Sequence, residues 1–215
     1  MADTTNTPNN STAPWLTLGL LVVAIAAAAW WMTSHPATVV NNQPTSGNQT
    51  YHDSANGFSL TYPAASFTLA SATDNQPLPW SYNSSATGMR LMTLKMVKDA
   101  SLDKTNFADA SVAVGVTQDA AAVASCTKPE NGATATAVTL GGVNYTRLDS
   151  SDAGAGNLYQ TKSYRLVQGN RCFAIESTIH STNLGVYSPD QGITAFDAAH
   201  VNGLLDQVAA TIHWD

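Results

Sequence analysis

The sequence predicts an α+β fold: an antiparallel β-sheet packed with two or three helices, preceded by one transmembrane helix. Three observations carry that expectation. Between residues 56 and 180, short segments of alternating apolar residues recur, set off by glycine-containing turns, and a period of two is the mark of a half-buried strand. Near the C-terminus the period becomes helical, with Val201, Leu204, Leu205, Val208 and Ile212 on one stripe. Ahead of both, residues 15–32 form an unbroken apolar run.

In that run the only polar side chain is Thr17. At a helical rise of about 1.5 Å per residue it covers roughly 27 Å, close to a bilayer's hydrocarbon core. Trp15 at one end and Trp30–Trp31 at the other suit the headgroup layers. A buried core helix would show a polar face, and none is present. A secretory signal would carry a basic leading region, whereas the first Lys or Arg of the chain is Arg90. A retained anchor fits best, while cleavage within Ala26–Ala29 stays open. The absence of flanking Lys and Arg leaves the positive-inside rule silent on orientation. The expected organisation is a short polar tail over 1–14, an anchor in membrane lipid over 15–32, a Pro-, Asn-, Gln-, Ser- and Thr-rich flexible linker over 33–50, and one extracytoplasmic domain over 51–215.

Within the domain, Asn56–Gly57 offers a turn, after which Phe58, Leu60 and Tyr62 share a strand face until Pro63. Phe67 and Leu69 share the face of a second short strand. The stretch Met89–Val97 has apolar residues on both faces, as in a central strand, and Val112, Val114 and Val116 share a face in the next. Gln118–Cys126 has helical composition, with Asp119 near its N-terminus, where the helix dipole favours an acid. Two hairpins follow, turning at Gly141–Gly142 and at Gly169–Asn170. The return strand of the second points Phe173, Ile175 and Ile179 one way and Cys172 the other. The final helix is expected to start in a capping box from Thr194 to Asp197, with Gly203 marking a close packing contact.

Charge excludes several functions. Only 11% of residues are charged, the net charge is −6, and all nine Lys and Arg lie between Arg90 and Arg171, interleaved with acids. No basic run exists to neutralise a nucleic-acid backbone or anionic lipid. The two cysteines, Cys126 and Cys172, are too far apart for a CxxC redox motif and lack neighbouring His for a zinc site. They are either buried free thiols or a disulfide; a chain that is exported favours the bridge.

The opening residues Tyr51, Asp53, Gly57, Phe58, Ser59, Leu60, Tyr62 and Pro63, and the closing segment Leu204–Trp214, resemble PsbP-like domains. The middle of the chain resembles uncharacterised membrane-anchored bacterial proteins of the same general build. The resemblance implies a fold without catalytic machinery of its own, and no functional residue is carried over from it.

Catalytic motifs are absent: there is no GxSxG, HExxH, Walker loop or complete GxGxxG. No catalytic or cofactor-binding residue, and no cofactor, is assigned. The most suggestive polar stretch is Asp149–Asn157, where Asp149, Asp152 and Asn157 offer oxygens to a cation, although their spacing is not that of an EF-hand. The plainer reading is a solvated turn between two strands. His35, His52, His180, His200 and His213 are scattered. Glu176 and His180 share a strand face, about 13 Å apart at strand rise. Trp80, Tyr82, Tyr145, Tyr159, Tyr164, Phe173 and Trp214 are candidates to line an aromatic groove. The leading expectation is a membrane-anchored, extracytoplasmic, non-catalytic module that binds a protein partner or helps assemble a complex. The alternatives are a small-ligand or envelope-polymer binding domain using the aromatic groove, and a hydrolase with a dispersed site.

Overall fold

A computed structural model describes residues 47–70, 78–79, 87–129 and 133–215. Its strands form two antiparallel sheets. The smaller has the order β1-β2-β11, with β1 at Asn48–Asp53, β2 at Phe58–Pro63 and β11 at His213–Trp214. The larger runs β3 (Phe67–Leu69), β5 (Thr87–Met96), β6 (Phe107–Thr117), β10 (Arg171–Thr182), β9 (Asn157–Gln168), β8 (Val143–Gly154) and β7 (Thr134–Leu140), with β4 (Leu78–Pro79) also paired to β5. Among the described residues there are two α-helices, α1 at Ala120–Ser125 and α2 at Ala198–Ala209.

This corrects the expected α+β class: the described chain is predominantly antiparallel β. The class differs because strands make up most of the described residues and only two α-helices accompany them; Asp149–Asn157, expected as a solvated turn between two strands, is strand on both sides of a two-residue turn. Strands β8 and β9 each run twelve residues and join at Ala155–Gly156, where both φ angles are positive, +50° and +82°. That is the backbone of a type I′ hairpin turn, whose handedness matches the twist of the flanking strands.

The expected single-pass location is corrected as well. Among the described residues no helix is long and apolar enough to cross a membrane. Residues 15–32, on which the expectation rested, lie outside the described residues, as do most of the linker and the side chains of Trp80 and Tyr82.

The core forms on one face of the large sheet, where α2 and the small sheet cover it. Ile175 of β10 lies in register between Val114 of β6 and Tyr164 of β9, so the three side chains emerge on the same face. Val112, Val114, Ile175 and Ile179 join Phe58 and Leu60 of the small sheet and Val201, Leu205, Val208 and Ile212 of the helical region in one buried cluster. Phe173 packs on Trp214 at 4.5 Å between ring centroids, and the Trp214 indole N–H donates to the Tyr145 hydroxyl at 2.6 Å. Leu204 is only partly buried, so the helical stripe turns on Leu205. Asp197 alone caps α2, its carboxylate accepting from the His200 backbone N–H at 3.0 Å. Thr194 instead forms a bridge with Thr105. Gly203 marks no close contact: a side chain there would meet no atom within 4 Å.

The opposite face of the sheet carries α1. Asp119 caps it by accepting from the Ala122 N–H at 2.8 Å. Cys126 at its end is bonded to Cys172, with their Cα atoms 5.9 Å apart, inside the range a disulfide requires. Ala113, Ala122 and Ala174 pack around the bridge.

Candidate functional site

Strand register places a polar row in the middle of the apolar face. On β10 the file Phe173, Ile175, Ile179 is interrupted by Ser177. Ser177 stands opposite Lys162 of β9, and Lys162 stands opposite Asp149 of β8. The next row joins Ile179, Gln160 and Ser151. Helix α2 crosses beside these rows and presents Asn202 one turn before Asp206. The result is a cavity of about 400 Å³ lined by Asp149, Ser151, Gln160, Lys162, Ser177 and Asn202, among others. Its volume falls within the roughly 300–1,000 Å³ typical of ligand sites. Ala133 is the one apolar side chain among the described residues lining it.

The charges around the cavity are paired. Lys162 Nζ donates to both carboxylate oxygens of Asp206, at 3.2 and 2.9 Å, and the Tyr164 hydroxyl donates to the same carboxylate at 2.8 Å. Burial, followed by the hydrogen bond to Asp206, pushes the Tyr164 phenol above its ordinary pKa. Arg147 holds Asp149 Oδ2 through Nη2 at 2.9 Å and Nε at 3.1 Å. Two atoms remain unspent: Asp149 Oδ1 and Ser177 Oγ are buried without a hydrogen-bond partner among the described residues.

The residues suggested by sequence do not converge as a cation site. Asp149 and Asp152 are three apart on one strand and emerge on opposite faces. Asn157 is engaged elsewhere, its Oδ1 meeting His180 Nε2 at 2.8 Å, while His180 Nδ1 meets Asp109 Oδ2 at 2.9 Å. The His180 ring stacks on Tyr159 at 4.5 Å. Glu176, on the same face as His180, pairs instead with Arg165 at 2.8 Å. No group of three His, Cys, Asp or Glu able to hold a metal occurs among the described residues. His200 lies 3.5 Å from Asp99, and His52 and His213 are exposed.

The aromatic groove is also corrected. Tyr145 and Tyr164 belong to the core cluster, Trp214 is packed against it, and Phe173 is buried against Trp214; Tyr159 lies on the opposite face with His180. The cavity residues Lys162, Ser177 and Asn202 were not singled out from sequence. The signal available was Ser177, a hydroxyl where the strand's alternation calls for an apolar side chain.

No family model matches the sequence, and no curated protein matches it. Solved structures give distant likenesses. A crystal structure from Bacteroides thetaiotaomicron VPI-5482 aligns over 80% of this chain at 10% identity, with a TM-score of 0.42; the chain spans about half of that structure's length, 49%. LpqN, described as involved in cell envelope biogenesis of Mycobacterium tuberculosis, aligns over 75% of this chain and 88% of its own at 14% identity, with a TM-score of 0.37. Neither is described as PsbP-like.

Proposed function

We propose that the domain is a non-catalytic binding module of an oxidising compartment and that it takes a small polar ligand in the cavity beside α2. The observation that carries this reading is the cavity itself: a polar concavity set into an otherwise apolar sheet face, with two buried polar atoms unspent. Leaving a buried polar group unpaired costs about 1–3 kcal/mol, which a ligand that pairs it removes. The Cys126–Cys172 bridge supports the compartment, because disulfides persist where thiols are not kept reduced. The reading replaces the aromatic groove with a polar one. His180, the histidine held between Asp109 and Asn157, lies on the other face of the sheet and so offers the cavity hydroxyls no base.

The test is a screen of small neutral, anionic and cationic compounds by ¹⁵N–¹H correlation spectroscopy. Saturable shifts should map to Ser151, Lys162, Ser177 and Asn202. Hits that map elsewhere would refute the reading. A protein-docking reading is favoured by the exposed Leu184 and Val186, 41% and 57% accessible, beside the β8–β9 turn. Shifts at those two residues on adding a protein partner, with the cavity silent to every compound, would be its signature.

A further inference from the structure

We infer that the cavity ligand is uncharged and polyhydroxylated, a sugar or polyol, gripped by Ser177 Oγ and Asp149 Oδ1; this rests on the cavity being a binding site. The two atoms ask for complementary things. An ionised carboxylate oxygen only accepts, so Asp149 Oδ1 requires a donor. A serine hydroxyl both donates and accepts, so Ser177 is satisfied by a group that does either. A ligand hydroxyl meets both demands, and a chain or ring of adjacent hydroxyls meets them at once.

Charge points the same way. Each cation near the site already faces an anion: Lys162 is held by Asp206 and Arg147 by Asp149. A charged ligand would have to break one of these pairs or bring its own counter-charge, whereas a neutral one leaves them intact. Ala133 is the one apolar lining side chain among the described residues, so hydrogen-bonding groups dominate the side chains a ligand would meet. Gln160 and Asn202 add side-chain amides, which pair with hydroxyls as donor or acceptor.

Ser177 sharpens the case. It is 2% exposed and lines the cavity, and its hydroxyl, closed off from solvent, has no partner among the described residues; a turn about χ1 brings it to a ligand. A serine retained only for packing would be improved by alanine. Ser177→Ala should therefore leave the melting temperature of the ligand-free protein unchanged or raised, yet weaken ligand binding. A separation of stability from binding in that direction is the mark of a site residue.

The experiment uses glucose, galactose, myo-inositol and sorbitol as probes. Gluconate serves as the charged control with similar hydroxyls, and cyclohexanone as the ring of similar size without them. Binding is followed by ¹⁵N–¹H shifts on the oxidised protein and repeated on Ser177→Ala, Asp149→Ala and, as an outer-face control, Gln207→Ala. At least one neutral probe should give saturable shifts at the cavity. Ser177→Ala should weaken it roughly fivefold and Asp149→Ala on the order of tenfold or more, as loss of a neutral and a charge-assisted hydrogen bond implies. Gln207→Ala should bind as the parent does. Cavity shifts with gluconate or cyclohexanone but with no neutral polyol would overturn the ligand class while sustaining the binding site. Silence of the cavity towards all six probes and towards the wider screen would overturn both. Unchanged affinity in Ser177→Ala would show that its hydroxyl is not in contact with ligand and would overturn its assignment, whatever the folding of Asp149→Ala.

Discussion

Arg165 and Glu176 meet across β9 and β10, Nη2 to Oε1 at 2.8 Å, with side chains only 1% and 7% exposed. They lie on the sheet face opposite the cavity, and Ser163 hydrogen-bonds to both. Removing one partner of such a pair strands a charge in a dry place. Glu176→Ala should therefore cost about 3–5 kcal/mol. The larger isosteric change, Arg165→Met with Glu176→Leu, should cost much less. Urea denaturation of the three proteins checks this; equal losses in the single and double variants would show that the charges themselves are not the issue.

Helix α2 docks through Leu205, which is 1% exposed, while Gln207 faces solvent. Leu205→Ala is expected to lose about 2–5 kcal/mol. Gln207→Ala should lose under about 0.5 kcal/mol, as at an ordinary surface position. Thermal melts of the two variants give the comparison directly.

Gly141 and Gly142 both sit at positive φ, +56° and +81°, but only Gly141 approaches another element: a side-chain carbon there would lie 2.7 Å from the Ala210 carbonyl oxygen. Alanine at either site carries a left-handed backbone penalty of about 1–2 kcal/mol. Gly141→Ala should cost clearly more, because the β7–β8 turn must also move off the end of α2. A pair of variants with the same stability would argue against that contact.

The disulfide closes a loop of 46 residues in sequence separation, and the chain-entropy estimate for such a loop is about 4 kcal/mol, an upper guide. Reduction, or Cys126→Ala with Cys172→Ala, should lower the denaturation midpoint while leaving the fold in place. Thiol labelling of the oxidised, denatured protein checks the bridge: full labelling without reductant would be incompatible with it.

Alkaline pH should unfold the domain through its buried tyrosines. Burial, with the nearby Asp53 carboxylate second, raises the Tyr51 pKa to about 12. A raised folded-state value means the unfolded chain ionises first. The stabilisation is therefore complete below the ordinary value of about 10 and is lost as pH climbs towards 12, a loss on the order of 2–3 kcal/mol. Tyr164 and Tyr145 shift in the same direction. Absorbance of phenolate should rise in step with loss of circular dichroism; ionisation well before unfolding would mean that these rings are accessible.

The turns at Gly141–Gly142 and Gly169–Asn170, the short helix beginning near Asp119 and the buried face of β2 were legible because each is set by residues within a few positions. A turn between two strands was expected at Asp149–Asn157, but its position was not legible, for a local reason too. Its first position is Ala155, a residue that pays to adopt positive φ, in a run of Ser, Asp and Gly that reads as loop. The disulfide was legible as a possibility, since two cysteines allow one pairing. The cavity was not, because Ser177, Lys162 and Asp149 come from three strands whose register is fixed only when the sheet assembles. The aromatic residues misled for a similar reason: which of them face inward depends on where α2 and the small sheet settle. Whether Leu204 or Leu205 leads the helix contact is a matter of rotation by one residue, about 100°, below what a stripe of five apolar positions resolves.

The small sheet is completed by a strand from far along the chain. Ser59 and Phe58 of β2 pair with His213 and Trp214 of β11, and the Asp215 N–H donates to the Gly57 carbonyl. During synthesis, β1 and β2 emerge long before their third partner exists. Until then Phe58 lacks the Trp214 ring that packs on it at 5.6 Å. A growing or truncated chain therefore displays an unclosed hairpin with bare aromatics, a surface of the kind that chaperones and proteases read. Arrival of β11 erases that signal, so closure of the first hairpin reports that the chain between the two strands has been made.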